Sequence, residues 1–563
     1  MRETKHVEDT RDGRNTGDMV RRVSTGLLNM FPTPPDAHVP RGEVEARQLL
    51  KRTPGSYLLN QTYNLWFFIA SFLLTVIVTR KLSPGQYGVY AIAMSAFNTI
   101  AYIVALGLED ATTTYVPRVF SEHGKAAAAL LIRRLLALRL TILALSVGVM
   151  LFVLPALAVV LGAMPVQGSA DMAAGLRDPK LLGHIAPIAV YVLGNGIASL
   201  VTSVCAALMR MRVVFVVGSA TQLLTLLLAW GVLQLGWGVD GMLWLLAAGS
   251  IFNALVFVFW LAPILFIRGA SYKQSLKPVM RLGVSAWLTN LASGALLKQL
   301  SIILLGYFAV SVVLIGYFNL SFQLAHAANL LLVSGFGGVA GAALAAAFVG
   351  QNRQRLARSW QTLIKVETLL AAPGLMFCLV NAQNIAPALY GAAYVVVGPL
   401  LTIFLFFNIL TRLLGTTMHQ STLYVIGKPG KVVLGQWLGL LVLVLIGIAL
   451  IPHWGPAGAL IADGVAQVVT GALLLAFLWR ELPRKFPLDF TLRLLLAVTL
   501  AVLPSVLWHP TGRIGLVVSG CIFVALSVVL LMVVRPLSAE DVEVMKSVRP
   551  GVARYLRWFA RRR

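Results

Sequence analysis

Charge is what this sequence has least of. Only 12% of its 563 residues are Asp, Glu, Lys or Arg, about half the share of an ordinary soluble domain, while 58% are hydrophobic and the mean hydropathy is +0.83. No soluble core could bury that much apolar surface, so the solvent for most of the chain is lipid. Acids are scarcer than bases, 21 against 46, which leaves a net charge of +25. Cysteine is scarcer still. Cys205, Cys378 and Cys521 each lie in an apolar run with no CxxC spacing and no neighbouring His, which excludes a disulfide framework and a thiolate metal site. There is no Walker loop and no HExxH, and no polar segment is long enough to fold around a nucleotide. Catalysis, direct ATP use, a cofactor and a bound metal are therefore not expected. Residues 1–56 lack the apolar stretch and small-residue cleavage site of a secretory signal; they read as a disordered, basic cytoplasmic tail.

What remains is a series of apolar runs, each about as long as a bilayer core is thick. Bounded by Gly, Pro and charge, fourteen begin near residues 58, 89, 140, 185, 213, 241, 284, 312, 362, 394, 432, 457, 494 and 514. The expected fold is an all-α polytopic membrane protein: two six-helix lobes related by a pseudo-repeat, plus two C-terminal helices. The N-lobe covers 57–268, the C-lobe begins at 269–430 and ends at 431–480, the last two spans occupy 481–534, and 535–563 is a basic amphipathic tail.

Basic residues crowd alternate loops, such as "RMR" at Arg210, "GQNRQRLAR" at Gly350 and "RELPRKFPLDFTLR" ending at Arg493. The positive-inside rule then puts both termini in the cytoplasm and the chain in the cytoplasmic membrane. The charge is a topology signal, not a nucleic-acid footprint, and it favours contact with anionic lipids of the inner leaflet. Outer loops are short, the longest being Met164 to His184, so no extracytoplasmic domain is expected. Arg133, Arg134 and Arg139 read as an interfacial extension of the third span. In "VARYLRWFARRR", Val552, Tyr555, Leu556 and Phe559 share one face and read as a helix lying on the inner leaflet.

One internal repeat is visible. "TVIVTRKLSPGQYGVYAIAMSAFN" from Thr75 aligns with "SIILLGYFAVSVVLIGYFNLSFQLAHAAN" from Ser301, so that Gly88-Val89-Tyr90 meets Gly316-Tyr317-Phe318. Such repeats suggest a transporter that rocks about a site between its halves. Polar residues recur at helical spacing in five spans: Asn60, Asn64, Ser71 and Thr75; Ser95, Asn98, Tyr102 and Glu109; Asn290, Gly294, Lys298 and Ser301; Asn319, Gln323 and His326; Asn408, Arg412, Gly415 and His419. Each amide could simply join two helices, a bond worth about 0.6 kcal/mol in a membrane. Lys298 is harder to place, because a cation near mid-bilayer costs about 2.5 to 3.5 kcal/mol. Glu367, Asp463 or an anionic cargo could compensate it. Arg412 could snorkel or meet the same cargo, and a lone His326 reads first as a packing residue. "GFGGVAG", with Gly337 and Gly341 four apart, reads as a close-packing motif.

Two rivals differ by their acids. Glu109-Asp110 looks like the acid pair of a membrane glycosyltransferase, yet it falls on the inner side and no large outer loop accompanies it. A cation-coupled multidrug antiporter usually keeps a carboxylate deep in its first half, and here no Asp or Glu lies between Glu45 and Glu109.

"VTRKLSPGQYGVYAIAMS" followed by "ALGLEDATTTYVPR", then "IILLGYF", "LYGAAY" at Leu389, "GKPGK" at Gly427 and "GPAGALIADGVAQ" at Gly455, resembles the polysaccharide-exporter, Wzx-like flippases of the multidrug/oligosaccharidyl-lipid/polysaccharide (MOP) superfamily over residues 57 to 480. The resemblance implies two lobes around a central cavity and transfer of a polyprenyl-pyrophosphate-linked oligosaccharide from inner to outer leaflet, with polysaccharide-assembly proteins as partners. In such a cavity, position alone makes Lys298 and Arg412 candidate pyrophosphate contacts and Asn64, Asn319, Gln323 and His326 candidate substrate contacts. Where relatives often carry an acid, this chain has Ser301 after Lys298 and Gln299. Arg80 and Lys81 of the first hairpin read as an outer turn that caps its helix and snorkels.

Overall fold

Ser83 and Pro84 turn the chain for the first time. Helix α1 (Arg41–Lys81) ends on two bases. Pro84 opens α2 (Pro84–Ala105) at a position that needs no N–H, and Ser83 and Gln86 form a reciprocal capping box. The computed structural model describes residues 41–153, 179–208, 210–267, 275–291, 296–308, 310–333, 336–348, 351–482, 486–548 and 550–561. Helix occupies 41–56, the end of the tail expected to be disordered through residue 56, and the rest of that tail, 1–40, lies outside the described residues. The only β pairing among the described residues is a single bridge between Leu537 and Ala560.

At the far end of α2, Leu106 and Gly107 both adopt left-handed conformations and start α3 (Leu108–Gly148). A Cβ on Gly107 would stand 1.9 Å from the Gly283 carbonyl oxygen, so only glycine fits there. After a π-helical turn at Val149–Val153, helices α4 (Pro179–Ala207), α5 (Met211–Gln234) and α6 (Gly238–Leu265) complete a first bundle around Leu135, Val201, Val214 and Phe257. Arg139 belongs to this interior. It is 3% exposed, not interfacial, because four groups consume its guanidinium: the carbonyls of Val104 and Gly196, the carboxylate of Glu109 and the hydroxyl of Ser199.

The seventh expected span is divided. Helix α7 (Lys277–Asn290) leans on the first bundle through Gly283 and the Trp287 indole, which donates to the Tyr102 carbonyl at 2.8 Å. Helix α8 (Leu296–Tyr307) leans on the second, where Leu304 meets Gly447. Then come α9 (Val312–Val333), α10 (Phe336–Ala347), α11 (Arg353–Val380), α12 (Ala382–Tyr390), α13 (Val397–Leu414) and α14 (Thr416–Val425). Helix α15 (Pro429–Trp479) folds back on itself at Gly455, between Pro452 and Pro456, so that Gly439 faces Thr470 and Gly447 faces Ala462. Helices α16 (Leu488–Trp508) and α17 (Gly512–Val534) pack beside α11 and α12.

Eleven helices among the described residues are long and apolar enough to cross a membrane. The expected fourteen differ from this number for local reasons. The eleventh and twelfth expected spans are one bent helix, the seventh is two short ones, and α9 is made less apolar by Asn319, Gln323, His326 and Asn329. Large apolar side chains such as Leu492, Leu507 and Ile514 are more than 60% exposed, as lipid-facing surface requires.

The two segments of the internal repeat touch one another. Helix α2 crosses α9 with Gly88 on the Val312 backbone, and a Cβ on Gly316 would lie 3.0 Å from the Gly88 Cα. Equivalent positions meet in this way beside a pseudo-twofold axis. The close-packing motif behaves differently: a Cβ on Gly341 would meet open space, and residues 334 and 335 lie outside the described residues.

The C-terminal segment folds onto the second bundle as a cap, α18 (Ala539–Val548), α19 (Pro550–Leu556) and a 3-10 turn at Arg557–Phe559. Its buried face is Ala553, Leu556 and Ala560, with Phe559 partly covered, while Tyr555 is 72% exposed. The expected apolar face is thus split, because the helix is too short to hold one register through Phe559. Asp541 locks the cap: it accepts from Lys365 at 2.9 Å, from Thr362 at 2.9 Å and from the Ser538 backbone at 2.8 Å.

Candidate functional site

The two ends of the bundles differ. At the hairpin face, where α1 turns into α2, the halves are shut. Tyr87, Tyr317, Tyr390 and Tyr394 are all buried there, and the Tyr394 ring meets the other three edge-on at 6.0 to 6.2 Å between centroids. Hydrogen bonds cross between the halves: Thr75 donates to Gln323 at 2.9 Å, Asn319 to the Tyr87 hydroxyl at 3.0 Å, Ser95 to Gln299 at 2.5 Å, and Tyr394 to the Leu82 carbonyl at 3.1 Å. Arg80 adds to this closure. Instead of capping its own helix, it donates to the carbonyls of Ala388 and Leu389 at 2.7 and 2.8 Å, at the end of α12 in the opposite half.

Toward the other face, where the basic loops lie, the halves part around a cavity of about 900 Å³. It runs from Asn98, Gln299 and His326 at mid-bundle to Glu109, Thr417 and Gln420 at the helix ends. Most of its polar lining is uncharged: amides of Asn98, Gln299, Asn408, Gln420, Gln436 and Gln467, and hydroxyls of Thr411, Thr416 and Thr470, with the Trp287 ring on one wall. Helix breaks present many of these groups. Gly415, in a left-handed conformation, ends α13 and starts α14, so Thr416 and Thr417 turn toward the cavity.

Charged lining residues are mostly paired. On the first-bundle wall, Glu109 accepts from Arg139 at 3.0 Å and from Ser199 at 2.9 Å. On the opposite wall, Arg412 forms an ion pair with the buried Glu367 and donates to Asn329 at 3.2 Å. Each wall therefore carries an Arg–Glu pair, with the acid facing the cavity on one side and the base on the other. Asp463 is fully buried, and its Oδ2 accepts from Gln467 at 2.8 Å while Oδ1 finds no partner among the described residues.

The expected contacts separate into groups. Arg412 and His326 line the central cavity. His326 and Gln323 also line a second, adjoining cavity, where Asn319 sits buried and bonded to Tyr87. Asn64 is exposed on α1 and lines neither. Lys298 belongs to α8, and its side chain lies outside the described residues. Of the acids that could have balanced it, Glu367 is taken by Arg412 and Asp463 bonds Gln467. His419 turns away from both cavities and accepts from the Trp360 indole at 3.1 Å. Spacing had not singled out Gln420, Gln436, Gln467 or Trp287; the Gly-bounded helix ends nearby were the available signal. The lining is also less basic than expected, with Glu109, Asp110 and Asp463 beside Arg412. Among the described residues no three metal-ligating side chains gather.

This arrangement, two helical bundles about a polar cavity that is closed at one end, is the fold of the MOP superfamily of membrane transporters. Several solved structures share it. A lipid II flippase, MurJ, in an inward closed conformation matches 84% of this chain and 98% of its own at 14% identity, TM-score 0.58. An inward-facing multidrug resistance MATE family transporter matches 74% and 94% at 19% identity, TM-score 0.56. A Vibrio cholerae MATE transporter matches 78% and 98% at 18% identity, TM-score 0.51. The profile of the polysaccharide biosynthesis protein family matches residues 77–399, more than half of the sequence, and the chain belongs to that family. No functionally curated protein matches it significantly.

Proposed function

We propose that the protein carries a polyprenyl-pyrophosphate-linked oligosaccharide from the inner to the outer leaflet of the cytoplasmic membrane by alternating access. The observation that carries this reading is the central cavity of about 900 Å³, walled by amides and hydroxyls from both bundles. Such groups pair with sugar hydroxyls in either direction of donation, and an indole face packs against the apolar side of a sugar ring. Membership of the polysaccharide biosynthesis family supports a glycan cargo.

In this reading the basic loops face the cytoplasm, so the cavity loads from the inner leaflet while the tyrosine cluster seals the outer side. The headgroup pyrophosphate approaches Arg412 and competes with Glu367 for its guanidinium, with Lys298 as a second cation. Loading would loosen a pair that holds α13 to α11, giving the cargo a differential hold on two states. The glycan remains chemically unchanged; the work is transport and no catalytic residue is assigned. Cation-coupled drug export is the competing reading, and the carboxylates of Glu109, Asp110 and Asp463 in the cavity favour it.

Leaflet-resolved transfer of a fluorescent polyprenyl-pyrophosphate oligosaccharide in proteoliposomes separates the two, with a cationic dye as the second cargo. Flipping by the wild type, lost in a folded Lys298→Ala variant, is the expected result. Proton- or sodium-dependent dye movement without lipid transfer would overturn it.

A further inference from the structure

A second cavity, about 430 Å³, lies between α1, α2, α4, α5 and α6 of the first bundle and α9 of the second. It joins the central cavity at Asn98, Phe322 and His326, which line both. Its walls combine aromatic faces with side-chain amides. Tyr90, Phe97 and Tyr191 supply the faces, Phe97 and Tyr191 lying 4.0 Å apart between centroids at 34°. Asn98, Asn195 and Gln222 supply amides that make no hydrogen bond to any described residue. The hydroxyls of Tyr90 and Tyr191 are likewise without a hydrogen-bond partner among the described residues. Polar groups left so inside a membrane bundle are costly, and tend to face water or a ligand.

The charge of the lining narrows the ligand. No Asp, Glu, Lys or Arg is among the described residues of this second cavity, and His326 at the junction is its only imidazole. A cationic drug would find no carboxylate there, and a pyrophosphate no base. A ring with hydroxyls on its rim and C–H groups on its face suits both features, since amides take the rim and aromatic rings the face. Resting on the flippase reading above, we infer that this cavity is a subsite for a neutral sugar unit at the end of the glycan farthest from the pyrophosphate. The central cavity would then hold the headgroup and the first sugars.

A subsite of this kind acts on long glycans and leaves short ones alone. The test uses the full-length protein in proteoliposomes and two synthetic cargoes: a polyprenyl-pyrophosphate carrying one N-acetylglucosamine, and one carrying a neutral pentasaccharide. In the Asn195→Ala, Gln222→Ala double variant, pentasaccharide transfer is expected to fall about tenfold, as two lost neutral hydrogen bonds imply. Monosaccharide transfer should stay within about twofold of wild type, which also reports that the variant folds. Tyr191→Leu, which removes a stacking face and no amide, should show the same selectivity. Equal loss on both cargoes, or no loss on either, overturns the subsite and leaves the flippase reading standing. A wild type that moves neither cargo refutes the flippase reading itself, and the subsite with it.

Discussion

Replacing Gly88 by alanine forces apart the helices that close the hairpin face. The added Cβ would lie 2.1 Å from the Val312 carbonyl oxygen and 2.7 Å from its carbon, where ordinary contact begins near 3.4 Å. Both obstacles are backbone, so no side chain can swing away, and α2 and α9 must separate by more than an ångström. Overpacking of this size costs about 1–3 kcal/mol. Against it stand six hydrogen bonds across the halves, one each involving Thr75, Tyr87, Ser95 and Tyr394 and two from Arg80. At about 0.6 kcal/mol each for hydrogen bonds in a membrane, they contribute about 3.6 kcal/mol in total, comparable with the clash. The Asn319 to Tyr87 bond, now 3.0 Å, would be stretched out of range by the same movement. The variant should therefore shift the population toward an open hairpin face by about 5- to 150-fold. Spin labels at Lys81→Cys and Val395→Cys, both exposed, report this as a distance between the halves once Cys205, Cys378 and Cys521 are replaced. Growth of a longer-distance population in Gly88→Ala is expected. A monodisperse variant with the wild-type distance distribution would refute the account of the closed face.

Two further predictions concern charge. Arg139→Met should destabilise the protein by about 3–5 kcal/mol, because it leaves the carbonyls of Val104 and Gly196 and the Glu109 carboxylate short of a donor; thermal unfolding in detergent checks this, and an unchanged midpoint would count against a structural ion pair. The C-terminal cap should undock in acid. Burial alone would raise the Asp541 carboxyl, but the Lys365 ammonium and the Ser538 hydrogen bonds outweigh it and hold it below the usual range. A group depressed in the folded state contributes fully above its unfolded value, about 3.9, and the contribution is lost as pH falls through the lower folded value. Hydrogen-exchange protection over 537–548, corrected for the intrinsic pH dependence of amide exchange, should be high at neutral pH, fall in acid, and be low at all pH in Asp541→Ala.

Hydropathy located most of the membrane helices, since a run of apolar residues has no other stable place, and the repeat in the sequence matches Gly88 to Gly316, which touch in the fold. Proline and glycine marked the breaks at Pro84 and Gly455, whereas the break at Gly415 fell inside what reads as one continuous polar stripe. Helical spacing also placed polar residues on shared faces, but it could not say what each face meets. Thr75, Asn319 and Gln323 join the halves, His419 bonds Trp360, and Asn64 turns outward, all from stripes that look alike in sequence. Charge partners were equally hidden: Arg139 and Glu109 are 30 residues apart, Arg412 and Glu367 45. Spacing along one helix is local, whereas pairing depends on which helices lie side by side. That neighbourhood, together with which end of the bundle is shut, was decided only by the tertiary structure.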